Sequence, residues 1–315
     1  MDDDYEIIYA KTVNMPGDIK MATEQGPALG RIESLVRLRT ETDRRMGYTW
    51  MTIPLLPPAA AIVIGAGFLG FLVSILPKIG TLSQPTTAPS TIEPYVGGLL
   101  GLWGVAAIVL FAVLFFGALS FYYLMERRNR HFGRQQLLFS TIHRYLASSR
   151  PASETIAQLG YLSDDSTYAE GPRPAGLWAL LVLFVTPIVG LIASYSLTQD
   201  LRKHDELQSR FQAALAPSLV EAGFQDPNFP SYKSRHRDPL LFIILTAITG
   251  GLFWIYWYYT LLKDYNDHFA DQAKFEDQIL KSLIPTPTQR TCGTCGGVVP
   301  AIAKFCPHCG SQQTG

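Results

Sequence analysis

All four cysteines of the 315-residue chain fall in its last 24 residues, as Cys292-Gly-Thr-Cys295 and Cys306-Pro-His-Cys309, ten residues apart. Two C-x-x-C corners supply four thiolates, enough to close a tetrahedral Zn²⁺ site with no open position. Gly296 and Gly310 directly follow the second cysteine of each corner. A tight turn there needs a residue free to take positive φ. The segment between the corners holds Val298, Val299, Ile302 and Phe305. That is too little apolar mass to fold alone, so the metal must supply the folding energy. The expectation is a structural zinc ribbon on Cys292, Cys295, Cys306 and Cys309, preferred over a disulfide pair or a redox C-x-x-C. His308 is read as a corner residue rather than a ligand. Thiolate ligands require a reducing compartment, which places the ribbon in the cytoplasm.

Histidine supplies the second group of residues with metal-ligand chemistry. Tyr122, Leu124, His131, Gln135 and Leu138 recur as Tyr195, Leu197, His204, Gln208 and Phe211, and again as Tyr259, Leu261, His268, Gln272 and Phe275. The offsets −7, 0, +4 and +7 from each histidine share one helical stripe. Asp200 and Asp264 stand one turn before His204 and His268, but Arg127 takes that place in the first copy and would repel a cation. The reading adopted is therefore a polar contact of His and Gln between helices, not a metal site. On it, replacing the three histidines changes helix association and leaves zinc content alone. His143 and His236 are read as surface residues.

The elements that must position these groups are apolar. Residues 52–76, 95–124, 174–197 and 239–262 contain no Asp, Glu, Lys, Arg or His. All 52 charged residues lie in the other 212, about 25% of them, the ordinary value for soluble protein. Each window meets the roughly 20-residue requirement for crossing a bilayer core of about 30 Å. The expected fold is an all-α polytopic membrane protein of about four transmembrane helices, some extending into solvent, with a small C-terminal zinc ribbon. Tyr48, Trp50, Tyr122, Tyr123, Tyr195 and the run Trp254–Tyr259 sit at window ends, where a membrane interface selects amphipathic rings.

Gly65-Ala66-Gly67-Phe68-Leu69-Gly70 imitates a dinucleotide-binding G-x-G-x-x-G, but no Asp or Glu lies between Asp43 and Glu93 to hold a ribose. Close helix approach through Ala66-x-x-x-Gly70 and Gly97-x-x-x-Gly101 is the reading preferred for these small residues.

Loop charge sets the topology. Residues 77–94 carry one Lys, whereas the segment before residue 52 and residues 125–173 each carry seven Lys plus Arg. The positive-inside rule places residues 77–94 outside and the other two segments inside. A four-span count then exports residues 198–238, which carry six Lys plus Arg and fit the outside poorly. Thr186-Pro187 and Thr249-Gly250-Gly251 weaken the third and fourth windows near their middles. Re-entrant hairpins at both would remove the conflict. Four spans are preferred, since a hairpin exposes backbone that must be shielded from lipid.

The resulting organisation is an N-terminal aqueous segment (1–51), a transmembrane pair with an outer loop (52–124), a cytoplasmic helix and loop (125–173), a duplicated span-plus-amphipathic-helix unit (174–284), a linker (285–290) and the ribbon (291–315). The absence of charge across residues 241–262 and of proline across 241–284 predicts one continuous helix of about 66 Å.

The end Ala303-Lys304-Phe305-Cys306-Pro307-His308-Cys309-Gly310 resembles the terminal zinc ribbons of prokaryotic membrane proteins. Gly251-Leu252-Phe253-Trp254-Ile255-Tyr256-Trp257 more weakly resembles an uncharacterised membrane family marked by G-I-Y-x-x-Y-W. The resemblance implies no activity. Zero net charge argues against a generally basic nucleic-acid binder, and residues 291–315 carry Lys304 as their one charge. No ionisable residue inside the windows marks a transport path or an intramembrane active site. The expected function is a membrane-anchored interaction or regulatory protein, not an enzyme. Its expected partners are the lipid bilayer and proteins that meet the ribbon or the membrane-exit helices, with a homo-oligomer as one option. A channel or transporter component is the alternative.

Overall fold

The computed structural model describes residues 28–79, 93–149, 153–185, 188–224, 226–229, 237–283, 289–300, 305–306 and 308–312. Within them the fold is helical, apart from one two-stranded ribbon. The first helices are α1 (Ala28–Arg37), α2 (Arg39–Thr42) and a 3₁₀ segment (Tyr48–Leu55) that leads into α3 (Leu56–Ile79). Next come α4 (Glu93–Ser149), α5 (Glu154–Ala169), α6 (Ala175–Val185) and α7 (Ile188–Glu221). The last are α8 (Pro239–Ile248) and α9 (Phe253–Leu283), followed by β1 (Gln289–Thr291) and β2 (Val298–Pro300). The antiparallel register pairs Arg290 with Val299.

Two stretches, Tyr48–Leu76 and Val96–Ser148, are long and apolar enough to cross a membrane. No residue of the most apolar 18-residue window of either is buried in the protein. Trp103, Ile108, Phe111 and Leu69 all point outward, so this apolar surface is not a soluble core. α3 packs on the first half of α4. The small residues that allow the approach are one position away from the expected pairs. A Cβ on Gly67 would lie 3.2 Å from Leu102, and one on Gly98 3.3 Å from Phe71, whereas Gly70, Gly97 and Gly101 face open space. The Gly65–Gly70 glycines lie inside α3 with no strand before them, which removes the dinucleotide motif.

The third and fourth windows correct the four-span expectation. Each is a short helix that folds back on the long helix after it. α6 has 11 residues and α8 has 10, lengths of about 15 Å that reach half of a bilayer core. The ring of Phe242 in α8 lies 5.2 Å from Phe253 and 5.6 Å from Trp257 in α9, contacts that a straight helix forbids. Both hairpins close with the same clasp. Arg173 donates to both carboxylate oxygens of Asp200, and Arg237 to both of Asp264, each across 27 positions. Asp238 caps α8 by accepting from the Leu240 and Leu241 amides, with Pro239 at the first turn, where its missing N–H costs nothing. The turn itself uses Gly250 at φ +58° and Gly251 at φ +96°, conformations a side chain would strain. Thr249 Oγ1 then accepts the Phe253 amide and starts α9. The single 241–284 helix is thus two helices. Thr186-Pro187, the corresponding break in the other hairpin, lies outside the described residues.

Beyond the apolar region α4, α7 and α9 run side by side in one direction. Trp257 donates to Thr198 Oγ1 at 2.9 Å, and Tyr265 donates to the Leu197 carbonyl. Phe139 stacks on Phe211 with centroids 3.6 Å apart. α1 and α5 wrap this bundle, adding Ile32, Leu35, Ile156 and Leu159 to its core. The N-terminal segment thus contributes α1 to this bundle, while residues 1–27 lie outside the described residues.

Candidate metal centres

The ribbon brings its four cysteines together. Their sulfurs all lie within 4.8 Å of one another, with Cys292 to Cys309 and Cys295 to Cys306 each at 3.7 Å. A tetrahedral metal with sulfur at about 2.3 Å sets its ligands about 3.8 Å apart, so the group is shaped to hold a metal ion. The two corners are built alike. The Gly296 amide donates to the Cys292 carbonyl and the Gly310 amide to the Cys306 carbonyl, both at 2.8 Å. Gly296 and Gly310 take φ of +70° and +72°, as the spacing requires. Phe305, 60% exposed, does not join the core between the corners. Residues 285–288 of the linker and 301–304 between the corners lie outside the described residues, while Gln289 and Arg290 belong to β1.

The tyrosine repeat sorts into layers along the bundle. Tyr122 and Tyr195 are exposed and Tyr259 half-buried, forming an outer ring. Two residues further, Leu124, Leu197 and Leu261 are buried. Then come His131, His204 and His268, none more than 1% exposed, with ring centroids 4.9 to 5.3 Å apart. Gln135, Gln208 and Gln272 make the next layer, in which Gln208 donates to Gln272 and Gln272 to Gln135. Leu138, Phe211 and Phe275 close it. The shared register requires three parallel helices with equivalent residues at one height.

Each imidazole meets a buried carboxylate. His131 Nδ1 lies 2.8 Å from Asp43, His204 Nδ1 2.8 Å from Glu170, and His268 Nδ1 2.9 Å from Asp205. An ionised carboxylate can only accept, so Nδ1 carries the proton and Nε2 is left with a lone pair. Asp43 comes from the segment after α2, Glu170 from the end of α5 and Asp205 from α7 itself. None is the carboxylate one turn earlier that the repeat suggested. Asp200 is held by Arg128 and Arg173, and Asp264 by Arg237. Arg127 donates to the Leu261 carbonyl and to Asn266 and lies against the Tyr265 ring, so its guanidinium is engaged by other groups than the histidines. His143 is half-buried against Gly160 rather than on the surface, and His236 lies outside the described residues.

Burial pushes the His131 imidazole down to about 3, against the pull of Asp43, and also lowers His268. Arg134, fully buried, bridges two acids, with Asp43 Oδ2 and Glu276 Oε1 both at 2.8 Å. Burial penalises the Asp43 charge, but Arg134 and His131 outweigh it and hold that carboxyl well below its usual range. Burial wins at Glu276, which is pushed up to about 7 despite Arg134. A carboxyl raised in the folded state gives stability that is complete below its unfolded value near 4.5 and is lost as pH rises through about 7. Glu276→Gln is therefore expected to gain on the wild type in melting temperature between pH 5 and pH 8, measured by thermal unfolding in detergent. A gap that stays constant or shrinks over that range would contradict it.

No family model, curated protein or solved structure matches the chain. The weak likeness of the fourth window to a membrane family therefore assigns nothing, and the reading of both centres rests on their geometry.

Proposed function

We propose that the protein is a membrane-anchored interaction module. Its helical body sits in the bilayer and presents a zinc-loaded ribbon in the cytoplasm to protein partners. The observation that carries this reading is α4, a single 57-residue helix whose apolar half is unburied and whose polar half is the spine of a sealed bundle. α3 and α4 cross the bilayer on this reading, and the α6–α7 and α8–α9 hairpins dip into it from the cytoplasmic side. Their outward apolar side chains, Leu177, Leu181, Phe184, Leu241, Ile244 and Ile248, then meet lipid. Every basic segment except Lys78 stays inside, which removes the conflict over residues 198–238.

Zinc is the metal assigned to the cysteines, because soft thiolates in tetrahedral array select it in a reducing compartment. A site closed by four protein ligands favours recognition over catalysis. Phe305 beside Cys306 gives the ribbon an exposed apolar contact.

Removing residues 286–315 is expected to leave membrane insertion intact and to abolish specific crosslinks to partner proteins in intact cells. Retention of every partner by the truncated chain would end the recognition role. Single cysteines placed at residues 226–229, in a chain whose four native cysteines are Ser, should resist an impermeant reagent applied outside the cell. Labelling there would mean that the third window crosses the bilayer.

A further inference from the structure

We infer that His131, His204 and His268 form a second metal site, which takes one divalent first-row transition cation, with Zn²⁺ the best fit, between α4, α7 and α9. The possible ligand atoms of the three rings all lie within 4.8 Å of one another. His131 Nε2 and His268 Nε2 are 2.9 Å apart. With each Nδ1–H committed to a carboxylate, both facing nitrogens carry lone pairs. Two such lone pairs at that distance repel unless a positive centre stands between or beside them. His204 Nε2 is buried and has no hydrogen-bond partner. An orphaned acceptor of this kind costs roughly 1–3 kcal/mol when left without a partner. One cation answers all three nitrogens. At a metal–nitrogen distance of about 2.0–2.1 Å, tetrahedral ligands stand about 3.3 Å apart, within reach of small rotations of these rings.

The surroundings support the same conclusion. A metal-bound histidine usually donates its other N–H to a carboxylate or carbonyl, which fixes the tautomer and raises ligand basicity. Asp43, Glu170 and Asp205 do this for all three rings. Phe132 stacks on His204 at 4.1 Å and Phe269 lies 4.6 Å from the His131 ring, so the rings cannot swing freely. Three imidazole nitrogens suit zinc, copper, nickel or iron far better than magnesium or calcium. Three protein ligands leave a fourth position for water or another small donor. Enclosure between the leucine and glutamine layers makes the ion a tie between the membrane-exit helices rather than an exposed reaction centre. The site is independent of the ribbon and of the recognition role.

The test separates the two centres in the full chain. Chelator-stripped protein in detergent is titrated with Zn²⁺. The wild type is expected to take up two ions, and the chain with Cys292, Cys295, Cys306 and Cys309 all changed to Ser is expected to take up one. X-ray absorption of that cysteine-free chain should then show nitrogen or oxygen neighbours at about 2.0–2.1 Å and no sulfur at about 2.3 Å. Adding His204→Ala should remove the remaining ion. Should that variant fail to fold, Glu170→Gln in the same background keeps the ligands and disturbs only the tautomer. It is expected to weaken Zn²⁺ binding about 10- to 100-fold in a chelator competition. A cysteine-free chain that binds no Zn²⁺, or one whose binding ignores both His204→Ala and Glu170→Gln, overturns the inference.

Discussion

Arg134→Ala is expected to destabilise the helical body by about 3–5 kcal/mol, the usual cost of removing one partner from a buried ion pair. The guanidinium is fully buried and does four jobs at once. It donates to Asp43, Glu276, the hydroxyl of Thr42 and the carbonyl of Leu35. Its loss leaves the Asp43 charge facing His131 and Glu276 with Gln272 as its remaining neutral partner. The Asp43 carboxylate also orients His131, so the damage reaches the histidine layer. Arg134→Ala with Glu276→Gln should recover little of the loss, because Arg134 is what lowers Glu276 and without it burial already holds that carboxyl neutral. Chemical or thermal unfolding in detergent would measure both. A single variant within about 1 kcal/mol of wild type would mean that the bridge contributes little beyond an exposed pair.

Cys292→Ser should have the second large effect, confined to the other end of the chain. Structural zinc contributes about 10–16 kcal/mol to folding in small zinc modules near neutral pH, and these modules are unfolded without it. Cys292 is buried in the ribbon, 3.7 Å from Cys309. The variant is expected to lose the ribbon metal and to become protease-sensitive within residues 291–315. The melting of the helical body should stay unchanged, because the ribbon is too small to add to that core. Metal analysis and limited proteolysis read the two outcomes together. Intact protease resistance without metal would show that the ribbon folds by packing instead.

Both experiments reflect how unevenly information is spread along the chain. The tetracysteine group was legible because its chemistry is local. Four ligands arrive from two four-residue corners, and the glycines that permit those turns stand beside them. The repeat was legible too, since equal spacing of Tyr, Leu, His, Gln and Leu or Phe marks one stripe three times, but the four-span reading put its second copy on the far side of the membrane and so missed the parallel layering. The hairpins were only half-legible. Breakers stood mid-window at Thr186-Pro187 and Thr249-Gly250-Gly251, yet composition alone cannot distinguish a helix that bends from one that returns. A signal was nevertheless present: Arg173 to Asp200 and Arg237 to Asp264 have the same spacing, too long for one straight helix to clasp.

The partners of the histidines were not legible at all. Helical periodicity offered Asp200 and Asp264, which share a helix with His204 and His268, and both proved to be engaged by arginines. The carboxylates that meet the rings come from positions 43, 170 and 205, and each lies on a different element from its imidazole. By itself, the sequence determined which stretches are apolar, where four thiolates converge and which residues share a stripe. These follow from local geometry and from the free energy of removing apolar surface from water. Only the tertiary structure decided that the stripes face one another, that each imidazole has an acid behind it and that Arg127 points away. Those outcomes depend on the rotation and return of whole helices, which are fixed by contacts between residues far apart in the chain, 137 positions for His131 and His268 and 238 for Arg39 and Asp277.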